Sequence, residues 1–180
     1  MKRTVLIYGL ISGAISSALM ISFIPFIDRI GFDKGMYVGY TAMVLAFLLV
    51  FFGIRSYRDN VGEGYITFLR AFGVGMLITL VSCVCYVITW EIAYFNFLTD
   101  FSEKYMNYMV EQMKASGATQ EAINAKIQQW NSIDYNNPLV NSLLTFTEPL
   151  PVGFLVTLIS SLILRKKKKD PQNEPLAVQS

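Results

Sequence analysis

The sequence predicts an all-α integral membrane protein with four transmembrane helices and a short extracytoplasmic two-helix hairpin between spans three and four. Of its 180 residues, 53% are apolar and 16% are charged, whereas a soluble domain has about 45–50% and about 25%. The apolar residues fall in four blocks, each near the roughly 20 residues that cross a bilayer. Basic residues gather at the ends of these blocks, as positive-inside anchors do.

The first predicted span covers about residues 4–27 and carries no charge. It is longer than the apolar region of a typical signal peptide, so we expect an uncleaved span, with a cleaved signal as the alternative. Small residues recur at four-residue steps, which predicts a face where a second helix packs closely. These residues are Gly9 and Gly13, Ser12 and Ser16, and Ala14 and Ala18.

The second and third spans are predicted at about residues 36–54 and 71–94. Between them Arg55, Arg58 and Arg70 follow or precede aromatic residues at one membrane edge. Aromatic rings at headgroup depth with guanidinium groups in water are typical of an interfacial anchor. A lipid-phosphate site formed by the same three arginines is the more specific alternative.

The polar segment of about residues 99–138 predicts the two-helix hairpin. Phe101, Tyr105 and Met109 fall at four-residue steps and share one helix face. Gly117 suits the end of this helix, and Thr119 suits the cap of the next. We expect the two apolar stripes to pack on each other, with the membrane surface or a partner protein as alternatives.

The fourth span is predicted at about residues 143–164 and ends in five cations, Arg165, Lys166, Lys167, Lys168 and Lys169. These cations form a further part of the predicted lipid-phosphate anchor. Together with the basic residues near 2–3 and 55–70, they place both termini in the cytoplasm by the positive-inside rule. Residues 1–169 therefore form one predicted membrane domain, and residues 170–180, with two prolines and little to bury, a disordered cytoplasmic tail.

Glu148 is the acidic residue that the sequence places inside a span. Pro149 and Pro151 follow it and cannot donate backbone hydrogen bonds, which predicts a polar break in the helix. Glu148 could therefore line an outward-facing cavity and bind a proton or cation, and Glu91, near the same membrane edge, could contribute. The alternative is that the helix begins at Pro149, a favoured first-turn residue, and leaves Glu148 at the interface.

Composition predicts neither an enzyme nor a metal or cofactor site. The chain has no histidine, the commonest general base and metal ligand. Its two cysteines, Cys83 and Cys85, lie in an apolar run and are expected as reduced, buried thiols. The small net charge of +2 gives no reason to expect a nucleic-acid partner. Membrane lipids, a second copy of the chain or another membrane protein are the expected partners.

Several motifs resemble the domain-of-unknown-function family 4199, small membrane proteins of Bacteroidota. They are residues Phe32 to Met36, Gly39 to Thr41, Phe52 to Asp59, Ile66 to Phe68, Glu111 to Ala118 and Asn137 to Leu139. The resemblance implies four spans and a bacterial inner membrane, but no activity. A structural or partner-binding membrane component is therefore the expected function. A small transporter or channel subunit using Glu148 and Glu91 is the alternative.

Overall fold

The computed structural model describes residues 1–166 of the chain, and within them it consists of α-helices and short connections. The helices are α1 (Lys2–Phe23), α2 (Ile27–Asn60), α3 (Phe68–Phe97), α4 (Phe101–Ala115), α5 (Gln120–Asn131), α6 (Pro138–Phe146) and α7 (Pro149–Leu164). A single 3-10 turn, Ile24–Phe26, joins α1 to α2. The predicted anchor residues Lys167, Lys168 and Lys169 and the predicted disordered tail lie outside the described residues.

Within residues 1–166, four helical stretches are long and apolar enough to cross a membrane. They are Lys2–Phe26, Arg29–Asn60, Phe68–Phe97 and Pro138–Leu164. This confirms the predicted all-α class and the four apolar helices of spanning length. Each helical stretch begins before the predicted span or ends after it. The fourth stretch is formed by α6 and α7 in succession, with Thr147 and Glu148 between them.

Local sequence signals explain where several helices begin and end. The side-chain oxygens of Thr67 and Thr119 accept backbone hydrogen bonds at the start of α3 and α5, as N-cap residues do. Asn137 caps α6 in the same way, and Pro138 occupies its first turn. Gly117 follows α4 with a φ of 77°, the left-handed conformation that a glycine C-cap adopts at low cost.

Glycines allow the spanning helices to approach one another closely. A Cβ at Gly9 would lie 2.7 Å from the Cβ of Val81, and one at Gly13 would lie 2.5 Å from the Cβ of Cys85. Both contacts join α1 to α3, and their order shows that these two helices run in the same direction. The predicted packing face of α1 thus includes Gly9 and Gly13, whereas Ala14 and Ala18 are exposed.

The bundle interior is partly polar while its exterior is apolar. The Ser12 hydroxyl lies 3.1 Å from that of Ser82, and both side chains are buried. Further buried hydroxyl groups belong to Thr79, Thr157, Ser160 and Ser161. Large apolar side chains are exposed along the outer faces of the spanning helices, among them Leu6, Leu10, Leu45, Ile92, Leu155 and Ile163. Hydroxyl contacts inside and aliphatic side chains outside are the arrangement that suits a lipid environment.

Candidate functional site

A cavity of about 650 Å³ opens between the helices at one end of the bundle. Its walls come from the last turns of α1, the first half of α2, the second half of α3 and the segment of α6 that leads to Glu148. Residues of α4 and Trp130 of α5 line it from a further side. We call this cavity the groove. Its volume lies within the roughly 300–1,000 Å³ that small-molecule sites occupy.

Three glycines of α2 line the groove and have open space around them. Gly31, Gly35 and Gly39 all line the groove at four-residue steps. A Cβ at any of the three would meet no atom of the described residues within 4 Å. These glycines therefore differ from Gly13 of α1, where another helix fills the space. Gly31 has in addition a φ of 75°, which breaks the regular helical path of α2 at this end.

Aromatic side chains connect α4 to the groove wall. The Phe32 ring of α2 lies 5.6 Å from that of Phe101 and 5.3 Å from that of Tyr105. These centroid distances are typical of edge-to-face aromatic pairs. The Tyr105 ring in turn lies 5.5 Å from Trp130 of α5. The apolar stripe of α4 therefore faces both α5 and the groove.

A hydrogen bond joins α4 to the first half of α2. The Tyr108 hydroxyl donates to the Asp33 carboxylate, and the side-chain amide of Gln112 donates to the second carboxylate oxygen over 3.5 Å. The hydrogen bond to Asp33 raises the pKa of Tyr108 to about 12, because it stabilises the protonated phenol beside a negative charge. These hydrogen bonds hold α4 against the first half of α2, beside the groove.

A buried polar network fixes α6 beside α3. The Trp90 ring nitrogen donates to the Asn141 side-chain oxygen over 3.0 Å, and the Thr145 hydroxyl donates to the same oxygen over 3.2 Å. The Asn141 amide donates to the Tyr135 carbonyl over 3.1 Å. All four residues line the groove. Since Asn141 and Thr145 are almost fully buried, the network positions the polypeptide immediately before Glu148.

Glu148 lies at the groove and at the start of α7. The Tyr86 hydroxyl donates to its Oε2 over 3.3 Å, and both residues line the groove. The carboxylate forms no capping hydrogen bond to α7. Pro149 and Pro151 explain this in part, because each removes a first-turn N–H that a cap could accept from. From the sequence, a helix that begins at Pro149 and a Glu148 side chain that lines a cavity are alternatives. In the structure both are present.

Glu91 occupies a different position from Glu148. Within the described chain it is not part of the groove lining, which on α3 consists of Tyr86, Trp90 and Tyr94. Both carboxylate oxygens of Glu91 are buried, and neither makes a hydrogen bond of normal geometry within residues 1–166. The two predicted ion-site residues are therefore not brought into one cavity.

The opposite end of the bundle holds the predicted anchor residues that the structure describes. The backbones of Ile66 and Lys166 pair there, and the Lys166 ammonium lies 5.5 Å above the Tyr65 ring. Arg58 binds Asp59 over 2.7 Å, and Arg55 lies 3.7 Å from the same carboxylate. Arg70 and Arg165 are exposed. Two of the arginines are thus already paired with an acid, while the basic residues as a group mark one end of the bundle.

Sequence reasoning missed Gly35, Gly39 and Tyr86 as site residues. The four-residue repeat of Gly31, Gly35 and Gly39 was the available signal, since it defines a helix face without side chains. Among the described residues no three His, Cys, Asp or Glu side chains are placed to bind a metal ion. Cys83 and Cys85 are both free thiols, the first buried and the second half-buried.

A family model described as "Protein of unknown function (DUF4199)" matches residues 7–166. The match confirms the resemblance seen in the motifs. No curated protein and no solved structure matches the chain.

Proposed function

We propose a function from the geometry of the chain, because it belongs to the DUF4199 family, whose function is unknown. The chain is a membrane protein that binds a lipophilic small molecule in the groove. In this proposal it is a binding component of the membrane and not an enzyme. The groove carries the proposal, since it combines a volume of about 650 Å³ with mainly apolar and aromatic walls. Such a cavity with a few polar groups is the usual form of a small-molecule site.

The proposed setting is a bacterial inner membrane crossed four times, with both termini in the cytoplasm. The apolar exterior of the helices supports insertion. The basic residues at the end that holds Lys166 support a cytoplasmic location for that end, by the positive-inside rule. The α4–α5 pair and the groove would then lie at the extracytoplasmic side, where a lipophilic molecule could enter from the outer half of the bilayer.

The two tryptophans make the proposal directly testable. Trp90 and Trp130 are the only tryptophans of the chain, and both line the groove. A brominated ligand that enters the groove should therefore quench the intrinsic fluorescence. We would titrate bromododecanol, a neutral amphiphile, into the full-length protein in phosphatidylcholine vesicles. We expect quenching that saturates at a low mole fraction of ligand in the bilayer.

Two matched glycine variants separate binding in the groove from dissolution in lipid. Gly39→Leu places a side chain in the open space of the groove, whereas Gly73→Leu places one on an exposed face of α3 that is not part of the groove lining. We expect Gly39→Leu to abolish the saturable quenching and Gly73→Leu to retain it. Non-saturable quenching of equal size in all three proteins would refute a binding groove.

Transport or channel activity through Glu148 and Glu91 has less support. Glu148 lines the groove, but Glu91 does not. Beyond the groove, Gly153 is packed against Thr79, and a Cβ there would lie only 2.3 Å from Thr79 Cγ2. Close packing at this level argues against a water-filled path through a single copy of the described chain.

A further inference from the structure

We propose that the groove selects a cationic amphiphile, with a primary ammonium group at Glu148 and an apolar body along the glycine face of α2. This inference rests on the proposed function, because it names the class of molecule that the same groove takes.

The charge of the groove carries the first step. Among the described lining residues Glu148 is the carboxylic acid, and there is no Lys or Arg. The Glu148 side chain is exposed within the groove, where a ligand can reach its carboxylate. A charge beside mainly apolar walls is less well solvated than one in open water. An anionic ligand would add repulsion, and a neutral ligand would leave the charge unpaired. A ligand ammonium group would pair with it.

The hydrogen-bonding groups near Glu148 favour an ammonium that carries N–H donors. An ionised carboxylate accepts about four hydrogen bonds, and Tyr86 supplies one. Glu148 makes no capping bond to α7. Thr147 also lines the groove, and Pro151 cannot donate a backbone hydrogen bond to its carbonyl. The carboxylate oxygens of Glu148 therefore remain available as acceptors, and a primary ammonium offers three donors.

The remaining walls suit the rest of such a molecule. The rings of Tyr40, Tyr86 and Trp90 line the groove, and aromatic faces attract cations. Farther along α2, Gly35 and Gly39 leave room for an alkyl chain beside Met36 and Met43. The groove thus offers a polar, negatively charged site at Glu148 and an apolar channel along α2.

The test compares brominated ligands of one chain length on the wild-type protein in phosphatidylcholine vesicles. Bromododecylamine, bromododecanol, bromododecanoate and bromododecyltrimethylammonium are each titrated while tryptophan fluorescence is followed. Affinities are expressed per mole fraction of ligand in the bilayer, so that differences in how strongly the ligands partition into the bilayer do not affect the comparison. We expect the primary amine to bind at least about tenfold more tightly than the alcohol, since charge-assisted hydrogen bonds are replaced by neutral ones. The anion should bind most weakly. The quaternary ammonium, which has no N–H, should bind less tightly than the primary amine.

Variants assign the preference to one residue. Glu148→Gln keeps the shape and an oxygen that can accept from Tyr86, but removes the charge. We expect the preference for amine over alcohol to fall to less than about threefold. Glu103→Gln makes the same substitution at an exposed residue of α4 that is not part of the groove lining and should leave the preference unchanged.

The outcomes separate the two proposals. Saturable quenching by the alcohol with no preference for the amine would overturn this inference and leave the binding function intact. A preference that persists in Glu148→Gln would also overturn it. The absence of saturable quenching by any of the four compounds would refute the binding function itself. The ligand series needs only the wild-type protein, so the inference stays testable if Glu148→Gln fails to fold.

Discussion

The hydroxyl groups of Thr79 and Thr157 share a hydrogen bond of 3.0 Å between α3 and α7, and neither side chain is exposed. Replacing either threonine by valine keeps the shape but leaves the other hydroxyl buried without this partner. We expect each single variant to lose about 1–2 kcal/mol of unfolding free energy. The double variant removes both polar groups and should lose less than the sum of the two. Chemical unfolding in detergent measures all four proteins, and additive losses would show that the two hydroxyls are not coupled.

Gly153 and Gly39 form a matched pair for the packing argument. A Cβ at Gly153 would lie 2.3 Å from Thr79 Cγ2 and 3.1 Å from the Phe47 ring, whereas one at Gly39 would meet nothing within 4 Å. We expect Gly153→Ala to lose about 1–3 kcal/mol through overpacking. Gly39→Ala should be neutral or gain up to about 1 kcal/mol, because alanine favours a helix. Thermal unfolding in the same detergent compares them. Equal effects would contradict the different surroundings of the two glycines.

The sequence predicts the fold better than it predicts the groove, and a comparison of Gly13 with Gly39 shows why. Long apolar stretches depend on local composition, so the four apolar helices follow from hydropathy alone. A glycine in such a stretch can lie at a close contact between helices or beside an open cavity, depending on whether another helix packs against it. Gly13 and Gly39 therefore look alike in the sequence although Cys85 covers only the first.

Tertiary packing also determines which side chains meet at Glu148. Tyr86 is 62 positions away in the chain, and no spacing rule connects the two residues. The sequence identifies Glu148 because an acid followed by two prolines is unusual in an apolar span. The sequence also suggests pairing Glu148 with Glu91, because both are near one membrane edge. In the structure, the face of α3 that lines the groove carries Tyr86 and not Glu91.

The Tyr108–Asp33 hydrogen bond predicts an alkaline pH dependence. The pKa of Tyr108 is raised to about 12 in the folded protein, above its ordinary value of about 10. The contribution of this contact to stability is therefore complete below about pH 10 and is lost as the pH rises through about 12. The difference in tyrosinate absorbance between wild type and Tyr108→Phe should have its midpoint near pH 12. A midpoint near pH 10 would mean that the contact does not form.

Glu91 provides a prediction of increased stability. Both of its carboxylate oxygens are buried and make no hydrogen bond of normal geometry to the described residues, and poorly satisfied buried polar groups cost free energy. We expect Glu91→Met, which keeps a similar length, to raise the unfolding free energy by about 1–3 kcal/mol. Glu103→Met changes an exposed acid of α4 and should stay within about 0.5 kcal/mol of wild type. Destabilisation by Glu91→Met in the chemical unfolding assay would show that the carboxyl group has a stabilising partner.

Single cysteines at the two ends of the bundle test the proposed orientation. Ser132 is exposed just after α5, and Asn60 is exposed at the end of α2 among the basic residues. Basic residues are retained in the cytoplasm. A membrane-impermeant maleimide should therefore label Ser132→Cys in bacterial cells whose outer membrane has been removed and whose inner membrane is intact. It should label Asn60→Cys only after the cells are lysed. The wild-type protein is the control, since Cys83 is buried and Cys85 is half-buried. Labelling of Asn60→Cys in intact cells would reverse the orientation and place the groove on the cytoplasmic side.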